Sequence, residues 1–134
     1  MKILYISGPF SDRDPVHGIP KHILQASEAA LRAWHEGWAV FCPHKNSAGF
    51  QHVQSIPRKT WIEGDLEILR RCDAICMFGY WTGSRGACLE YSLARDLGIP
   101  IYQDGPDGPQ LMPESLFEAY DTLARDLTTT GAPL

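Results

Sequence analysis

Glu90 is a carboxylic acid whose place in the chain could support chemistry on an electrophilic carbon. It is four residues into a helix that the apolar pattern predicts over Gly86–Leu97. The positive end of the helix dipole favours an ionised carboxylate there, and apolar neighbours remove part of its water, which suits a nucleophile. On position alone, an ordinary surface glutamate near a helix start is the simpler interpretation.

Asp65 and Tyr5 are polar residues in segments that are predicted to be buried. Asp65 is within a helix predicted over Pro57–Arg71, close to the face that carries Trp61 and Leu69. An acid beside an apolar face costs free energy unless it is bound or used. Tyr5 lies inside a predicted buried strand, where its hydroxyl needs a hydrogen-bond partner. A tyrosine that only fills the core is the alternative.

The segment Thr82–Gly86 leads directly into the helix that carries Glu90. Unpaired backbone N–H groups and the dipole at such a helix start favour an anion. Ser84 adds a hydroxyl and Arg85 a charged donor. The alternative is an ordinary loop in which Ser84 caps the helix. The dinucleotide pattern G-x-G-x-x-G does not follow the first strand, and no G-x-x-x-x-G-K-[ST] is present.

Strands and helices alternate along most of the chain. The apolar spacing and the turn residues predict strands over 2–7, 38–42, 74–78 and 100–102, and helices over 19–37, 57–71, 86–97 and 113–127. Residues 43–56 are predicted to be a long loop, and residues 104–110 a turn-rich linker. The pattern favours an α/β fold with a small doubly wound, flavodoxin- or Rossmann-like parallel sheet flanked by helices. We expect one domain over residues 1–128 and a flexible tail over 129–134.

Ligands of such a fold bind at the carboxyl ends of the strands. Several polar residues on or near these ends have side chains that could take part in a reaction. They are Tyr5, Ser7, Asp12, Arg13, Asp14, His17, His44, His52, Ser84, Arg85 and Glu90. For His17, His44 and His52, a solvated loop histidine is the simpler interpretation.

Composition excludes several classes of protein. A chain of 134 residues with a net charge of −4 and no cluster of basic residues fits one domain and does not resemble a nucleic-acid binder. The apolar stretch Ala74–Trp81 is too short to cross a membrane. The N-terminus reads as a strand rather than a signal peptide, so we expect a cytoplasmic protein.

The four cysteines form no C-x-x-C pair. Cys42 and His44 could suggest a metal, but no second pair has the spacing of metal ligands. We therefore expect structural thiols, without a disulfide framework or a metal site.

Three segments together resemble the nucleoside 2-deoxyribosyltransferase superfamily, and most closely its branch of nucleoside 5′-monophosphate N-glycosidases. They are I-L-Y-I-S-G-P-F at the first strand, G-D-L-E-I-L-R-R-C-D-A-I, and G-S-R-G-A-C-L-E-Y-S-L-A-R-D-L-G-I-P-I. The order and spacing cover about residues 1–103. The turn that contains Tyr80 and Trp81 departs from the family pattern, which affects the expected shape of the sugar pocket.

The resemblance implies a role for individual residues. Glu90 matches the nucleophile that attacks the anomeric carbon of the sugar, Asp65 an acid that assists the departing base or the sugar hydroxyls, and Tyr5 a residue that orients the nucleophile. Ser84 matches a position that is acidic in the transferases and serine in the monophosphate hydrolases. The substrate-binding residues that it implies are Ser7, Gly8, Pro9, Ser84, Arg85, Gly86 and Ser115. Ser115 would reach the site of a neighbouring subunit in a homodimer or larger assembly.

Three functions follow as hypotheses. The first is an N-glycosidase acting on a nucleoside 5′-monophosphate without metal or organic cofactor. The second is a nucleoside deoxyribosyltransferase, which would favour an acid at position 84. The third is a non-catalytic nucleotide-binding module. The sequence names neither the base nor the sugar.

Overall fold

A single five-stranded sheet organises the protein, which is described by a computed structural model over residues 1–10, 18–50 and 52–129. The strands are β1 (Ile3–Ser7), β2 (Ala39–Phe41), β3 (Ala74–Met77), β4 (Ile101–Gly105) and β5 (Gly108–Leu111). Their order is β2-β1-β3-β4-β5, and the first four strands are parallel. This is the strand order of the flavodoxin-like doubly wound fold, so the predicted fold class is confirmed.

Helices cover both faces of the sheet. They are α1 (Gly18–His35), α2 (Pro43–Asn46), α3 (Arg58–Leu69), α4 (Arg85–Leu97) and α5 (Phe117–Thr128), with 3₁₀ turns at Trp81–Gly83 and Glu114–Leu116. The four predicted helices are confirmed within a few residues. The last one starts later than predicted because the chain first makes the 3₁₀ turn. No helix in the described part of the chain is long and apolar enough to cross a membrane.

Two segments that were predicted to be irregular contain regular secondary structure. Pro43 begins the short helix α2, so the first four residues of the predicted loop are helical. The predicted linker is instead a hairpin, in which β4 turns and β5 returns antiparallel to it. Gly108 follows the turn with a φ of 114°, and glycine after aspartate is a common hairpin signal. The linker prediction was wrong because turn residues mark a tight hairpin as readily as a linker. The loop prediction is confirmed for residues 47–50 and 52–56, which contain no helix or strand.

Alternating side chains of β1 enter two different cores. Leu4 and Ile6 pack on one face against the alanines of α1. Tyr5 lies on the other face, in the core that includes Leu69 and Tyr91. Because side chains alternate along a strand, Ser7 shares the face of Tyr5. This arrangement directs both hydroxyl groups of β1 toward the side that α4 covers.

The apolar face of α1 is narrower than the sequence spacing suggests. Ala26, Ala30 and Ala33 are buried as expected, but Trp34 remains 52% exposed. The small alanines bring α1 close to the sheet, and the indole of Trp34 lies outside this contact.

Close packing at the end of β1 leads to a stability prediction. A Cβ atom at Gly8 would lie 2.3 Å from the ring of Phe78, which is buried. Gly64 is inside α3, where a Cβ atom would meet nothing within 4 Å. We expect Gly8→Ala to lower the free energy of unfolding by about 1–3 kcal/mol, since overpacking strains a close contact. Gly64→Ala should raise it by about 0.5–1 kcal/mol because alanine favours a helix.

Chemical unfolding of the two variants beside the wild type measures both effects. Equal stability of the Gly8→Ala variant and the wild type would contradict the contact between Gly8 and Phe78.

Candidate active site

A cavity of about 450 Å³ opens at the carboxyl edge of the sheet. Strand order reverses between β1 and β3, which is where doubly wound folds form their binding crevice. Gly8 and Phe10 line the cavity after β1, and residues 83–87 line it after β3. Helix α3 and the segment before it form a further wall. Glu90 and Asp65 both line this cavity.

Two hydroxyl groups of β1 hold the carboxylate of Glu90. The hydroxyl of Tyr5 donates to Oε2, and Oγ of Ser7 donates to Oε1 over 2.9 Å. Tyr5 and Ser7 are fully buried. Each carboxylate oxygen therefore has its own buried donor, which fixes the plane of the group in the wall of the cavity.

Burial changes the protonation of Glu90. The pKa of the carboxyl group is raised to about 8, chiefly by burial and to a smaller extent by the charge of Asp65, although the hydrogen bonds from Tyr5 and Ser7 lower it. The expectation that the helix start keeps Glu90 ionised is therefore wrong for the free protein at neutral pH. Desolvation outweighs the dipole. Burial and the nearby Glu90 also raise the pKa of Tyr5 well above its usual value, so its hydroxyl keeps its proton.

Asp65 faces the cavity from α3 beside Trp61 and Ile62. Its neighbours Glu63 and Glu67 are exposed, so the predicted division of the three acids is confirmed. Burial raises the pKa of Asp65 to about 6. Between pH 6 and pH 8, the two acids therefore hold about one proton between them.

Ser84 and Arg85 at the start of α4 line the cavity. Ser84 is the N-cap, and its Oγ accepts a hydrogen bond from the backbone N–H of Ala87 over 3.3 Å. Arg85 donates from Nη2 to the carbonyl of Thr128 over 3.4 Å. Its Nε and Nη1 are buried and find no hydrogen-bond partner within the described residues. Since a buried unpaired donor is costly, these atoms favour an added acceptor.

The remaining residues that the sequence singled out have different surroundings. Gly8 and Gly86 line the cavity, but Ser7 points to Glu90 rather than into the open space. The carbonyl of Pro9 lies 2.8 Å from Nε2 of His44. Ser115 is exposed in a 3₁₀ turn. Asp12, Arg13, Asp14 and His17 lie outside the described residues.

His44 lines the cavity, and its burial is the feature that the sequence did not reveal. It is 5% exposed and lies between the rings of Phe10 and Phe78, so the prediction of a solvated histidine was wrong. Burial lowers the pKa of its imidazole. Pro43 begins α2, and the side chain of the next residue, His44, points inward. No local sequence pattern predicts its contact with Phe10 and Phe78. His52 is exposed, as expected.

The cysteines are free thiols, and Cys72, Cys76 and Cys88 are buried. Within residues 1–10, 18–50 and 52–129, no group of three or more histidine, cysteine, aspartate or glutamate side chains could hold a metal ion.

Comparison with a solved structure extends the description of the fold. The 2-deoxyribosyltransferase from the psychrotolerant bacterium Bacillus psychrosaccharolyticus is similar with a TM-score of 0.56 and 20% sequence identity. The match covers 95% of this chain and 90% of that one. It confirms the predicted resemblance at the level of the fold. No curated protein matches the sequence.

A family model adds the sequence relationship. The model described as "Domain of unknown function (DUF4406)" matches residues 2–103. This range contains β1, Asp65 and Glu90, and it ends within β4. The match spans most of the chain, so the protein belongs to the DUF4406 family.

Proposed function

We propose that the protein is an N-glycosidase that cleaves the bond between base and sugar in a nucleoside 5′-monophosphate, with Glu90 as the nucleophile. The observation that carries this proposal is the carboxylate of Glu90, held by Tyr5 and Ser7 at a cavity that Asp65 also lines. Two carboxyl groups at one cavity provide the nucleophile and the acid that glycosidic cleavage requires.

The reaction would proceed in two steps. The carboxylate of Glu90 forms a bond to the anomeric carbon as the bond from that carbon to the base nitrogen breaks, and Asp65 gives its proton to the departing base. Water then attacks the same carbon and releases Glu90, while Asp65 takes a proton from the water. The transition states resemble an oxocarbenium ion, which a nearby carboxylate stabilises.

Protonation restricts the pH range of this reaction. The productive state has one proton on the pair, with Glu90 ionised and Asp65 protonated. The raised pKa values of both acids make a singly protonated pair common near neutral pH. Because the pKa of Glu90 is the higher of the two, this proton lies mainly on Glu90 in the free protein, and the productive state forms when it moves to Asp65. Binding of a sugar that develops positive charge favours the ionised form of Glu90 in that state.

The start of α4 supports a phosphate group on the substrate. Ser84 and the helix dipole are groups that favour an anion, and Arg85 would add its two unpaired donors if its buried guanidinium turned toward the cavity. A serine at position 84 also avoids the charge repulsion that an acid would bring to a phosphate.

A nucleoside 2-deoxyribosyltransferase is the second candidate. The likeness of the fold to the solved 2-deoxyribosyltransferase supports it. Both reactions would begin with the same attack on the sugar. They differ in whether water or a second base completes the reaction. A non-catalytic nucleotide-binding module would retain the cavity but release no base.

One experiment separates these functions. The protein is incubated with the common ribo- and deoxyribonucleosides and their 5′-monophosphates, with and without a second free base, and the products are separated by chromatography. Free base and sugar phosphate support the glycosidase. A new nucleoside formed with the added base supports the transferase, and bound but unchanged nucleotide supports the binding module.

By the resemblance, we further propose a cytoplasmic homodimer or larger assembly in which Ser115 completes the site of a neighbour. Ser115 is exposed and therefore accessible to a second subunit.

Loss of the Glu90 carboxylate is the first functional prediction. Glu90→Gln should reduce kcat by at least about a thousandfold while the protein stays folded, because an amide cannot form the covalent intermediate. Tyr5→Phe should cost less, since it removes one donor to the nucleophile. Glu63→Gln is the matched control, because Glu63 is an exposed acid on α3. Normal turnover by folded Glu90→Gln would exclude Glu90 as the nucleophile.

The pH profile is the second prediction. We expect kcat/KM to be bell-shaped, with limits near pH 6 and pH 8, from the pKa values of Asp65 and Glu90. Activity falls below the lower limit because both acids are protonated, and above the upper limit because neither retains a proton. Asp65→Asn should lower kcat and abolish the alkaline limit. A wild-type profile that is flat from pH 5 to pH 9 would contradict the one-proton pair.

The third prediction concerns the phosphate. Ser84→Asp keeps a residue that can cap α4 but adds a negative charge. At an effective dielectric constant of about 20, like charges ~4 Å apart repel by roughly 4 kcal/mol, and solvent reduces this value. We expect kcat/KM to fall by about 10- to 1000-fold for the monophosphate and much less for the free nucleoside.

The measured quantity is the ratio of the two kcat/KM values. Ser92→Asp adds the same charge about two turns further along α4 and should leave this ratio unchanged. An unchanged ratio in Ser84→Asp would mean that Ser84 only caps the helix.

A further inference from the structure

The cavity has walls of two chemical kinds. Ser84 and Arg85 form a polar wall at the start of α4. The wall formed by α3 and the segment before it is mostly apolar and aromatic, with Phe50, Val53, Ile56, Trp61 and Ile62, and it also carries Arg58 and Asp65. A nucleotide has two parts that match these walls, because its phosphate is an anion and its base is a flat heterocycle.

Five aromatic side chains lie on α3 or in the segments near the strand ends, and their contacts show which of them can stack on a base. They are Phe10, Phe50, Trp61, Tyr80 and Trp81. Trp81 is 6% exposed and stacks on Tyr91, so it belongs to the core. Tyr80 is 78% exposed and does not line the cavity. The ring of Phe10 packs edge-on against His44. Phe10 lines the cavity on the side of β1, whereas Phe50 and Trp61 lie on the wall that carries Asp65.

Phe50 and Trp61 form a stacked pair at the cavity. Their ring centroids are 5.7 Å apart and their planes differ by 24°. Phe50 is 48% exposed, and Trp61 is partly buried. The stack fixes the orientation of both rings before a ligand binds, which lowers the entropy that binding must remove.

Asp65 connects this pair to the reaction. Trp61 precedes Asp65 by one helical turn, and both side chains face the cavity. In the proposed function, Asp65 gives a proton to the base, so the base must lie beside α3. A base in that position lies next to the aromatic pair.

We propose that Phe50 and Trp61 are the base-binding subsite of the cavity, and that a nucleobase stacks on this pair while Asp65 contacts its edge. The inference rests on the proposed function and adds the residues that distinguish a nucleotide from a sugar phosphate. Every base has an aromatic face, so the subsite accepts purines and pyrimidines. Discrimination between bases then falls to groups that contact the edge of the ring.

The test compares two ligands that differ only by the base. In a Glu90→Gln background, which prevents turnover, calorimetry measures binding of each common nucleoside 5′-monophosphate and of ribose or deoxyribose 5-phosphate. Trp61→Leu should weaken binding of the tightest nucleotide by about 10-fold or more, the loss expected when a stacked base loses its aromatic partner. Binding of the sugar phosphate, which has no base, should remain within about twofold. Trp34→Leu is the matched control, since Trp34 is an exposed tryptophan on α1 away from the cavity.

Each other outcome overturns the inference. Equal weakening of both ligands would mean that Trp61 supports the shape of the cavity rather than the base. An unchanged nucleotide affinity would place the base elsewhere. These results are separate from the proposed function, which fails if the wild-type protein releases no base from any nucleotide. Stacking on Trp61 without base release would leave a nucleotide-binding module.

Discussion

Alternation of side chains along β1 directs Tyr5 and Ser7 to the face of the sheet that α4 covers, and the placement of Glu90 depends on it. One hydroxyl donates to each oxygen of the carboxylate. A shift of β1 by one residue would turn both hydroxyls toward α1 and bring Leu4 and Ile6 to Glu90. The register of β1 with β2 and β3 prevents that shift, because Tyr5 is paired with Phe41 on one side and Ile75 on the other.

The protonation of Glu90 depends on two opposing effects. Burial raises the pKa of its carboxyl group, whereas the helix dipole and the hydrogen bonds lower it. A helix dipole contributes about 0.3–1 kcal/mol to an exposed charge near the helix start. Raising the pKa from 4.5 to about 8 corresponds to roughly 5 kcal/mol at 1.36 kcal/mol per unit. Burial therefore dominates even though two hydroxyls donate to the carboxylate. The ionised form is disfavoured in the free protein because it has lost its water. Such a carboxylate, once formed, interacts strongly with a sugar carbon that develops positive charge.

Much of the architecture could be predicted from the sequence because it depends on local patterns. The apolar runs of β1 and β3, the glycines after α1 and α4, and the serine before α4 mark their elements clearly. The errors arose where short-range signals have two meanings. Asp107 and Gly108 suit a linker as well as the hairpin that forms. Trp34 fits the helical spacing, although it lies outside the contact that the alanines of α1 make.

The site was less predictable because it depends on contacts between distant segments. Local sequence placed Asp65 on the correct face of α3, but the roles of Tyr5 and Glu90 came from resemblance to a family. Their hydrogen bond joins residues 85 positions apart. The inward turn of His44 and the unpaired donors of Arg85 likewise depend on tertiary packing. Desolvation of Glu90 could not be weighed before its surroundings were known.

Trapping of the covalent intermediate tests the central claim most directly. A nucleoside 5′-monophosphate with fluorine at the 2′ carbon forms the glycosyl–enzyme bond and then hydrolyses slowly, because fluorine destabilises the second oxocarbenium-like transition state. Mass spectrometry of the protein and its peptides would measure the adduct. The account predicts one fluorinated pentosyl phosphate on the peptide that contains Glu90, with release of one equivalent of base. Base release with the label on another residue, or with unmodified protein at every time point, would contradict a nucleophilic role for Glu90.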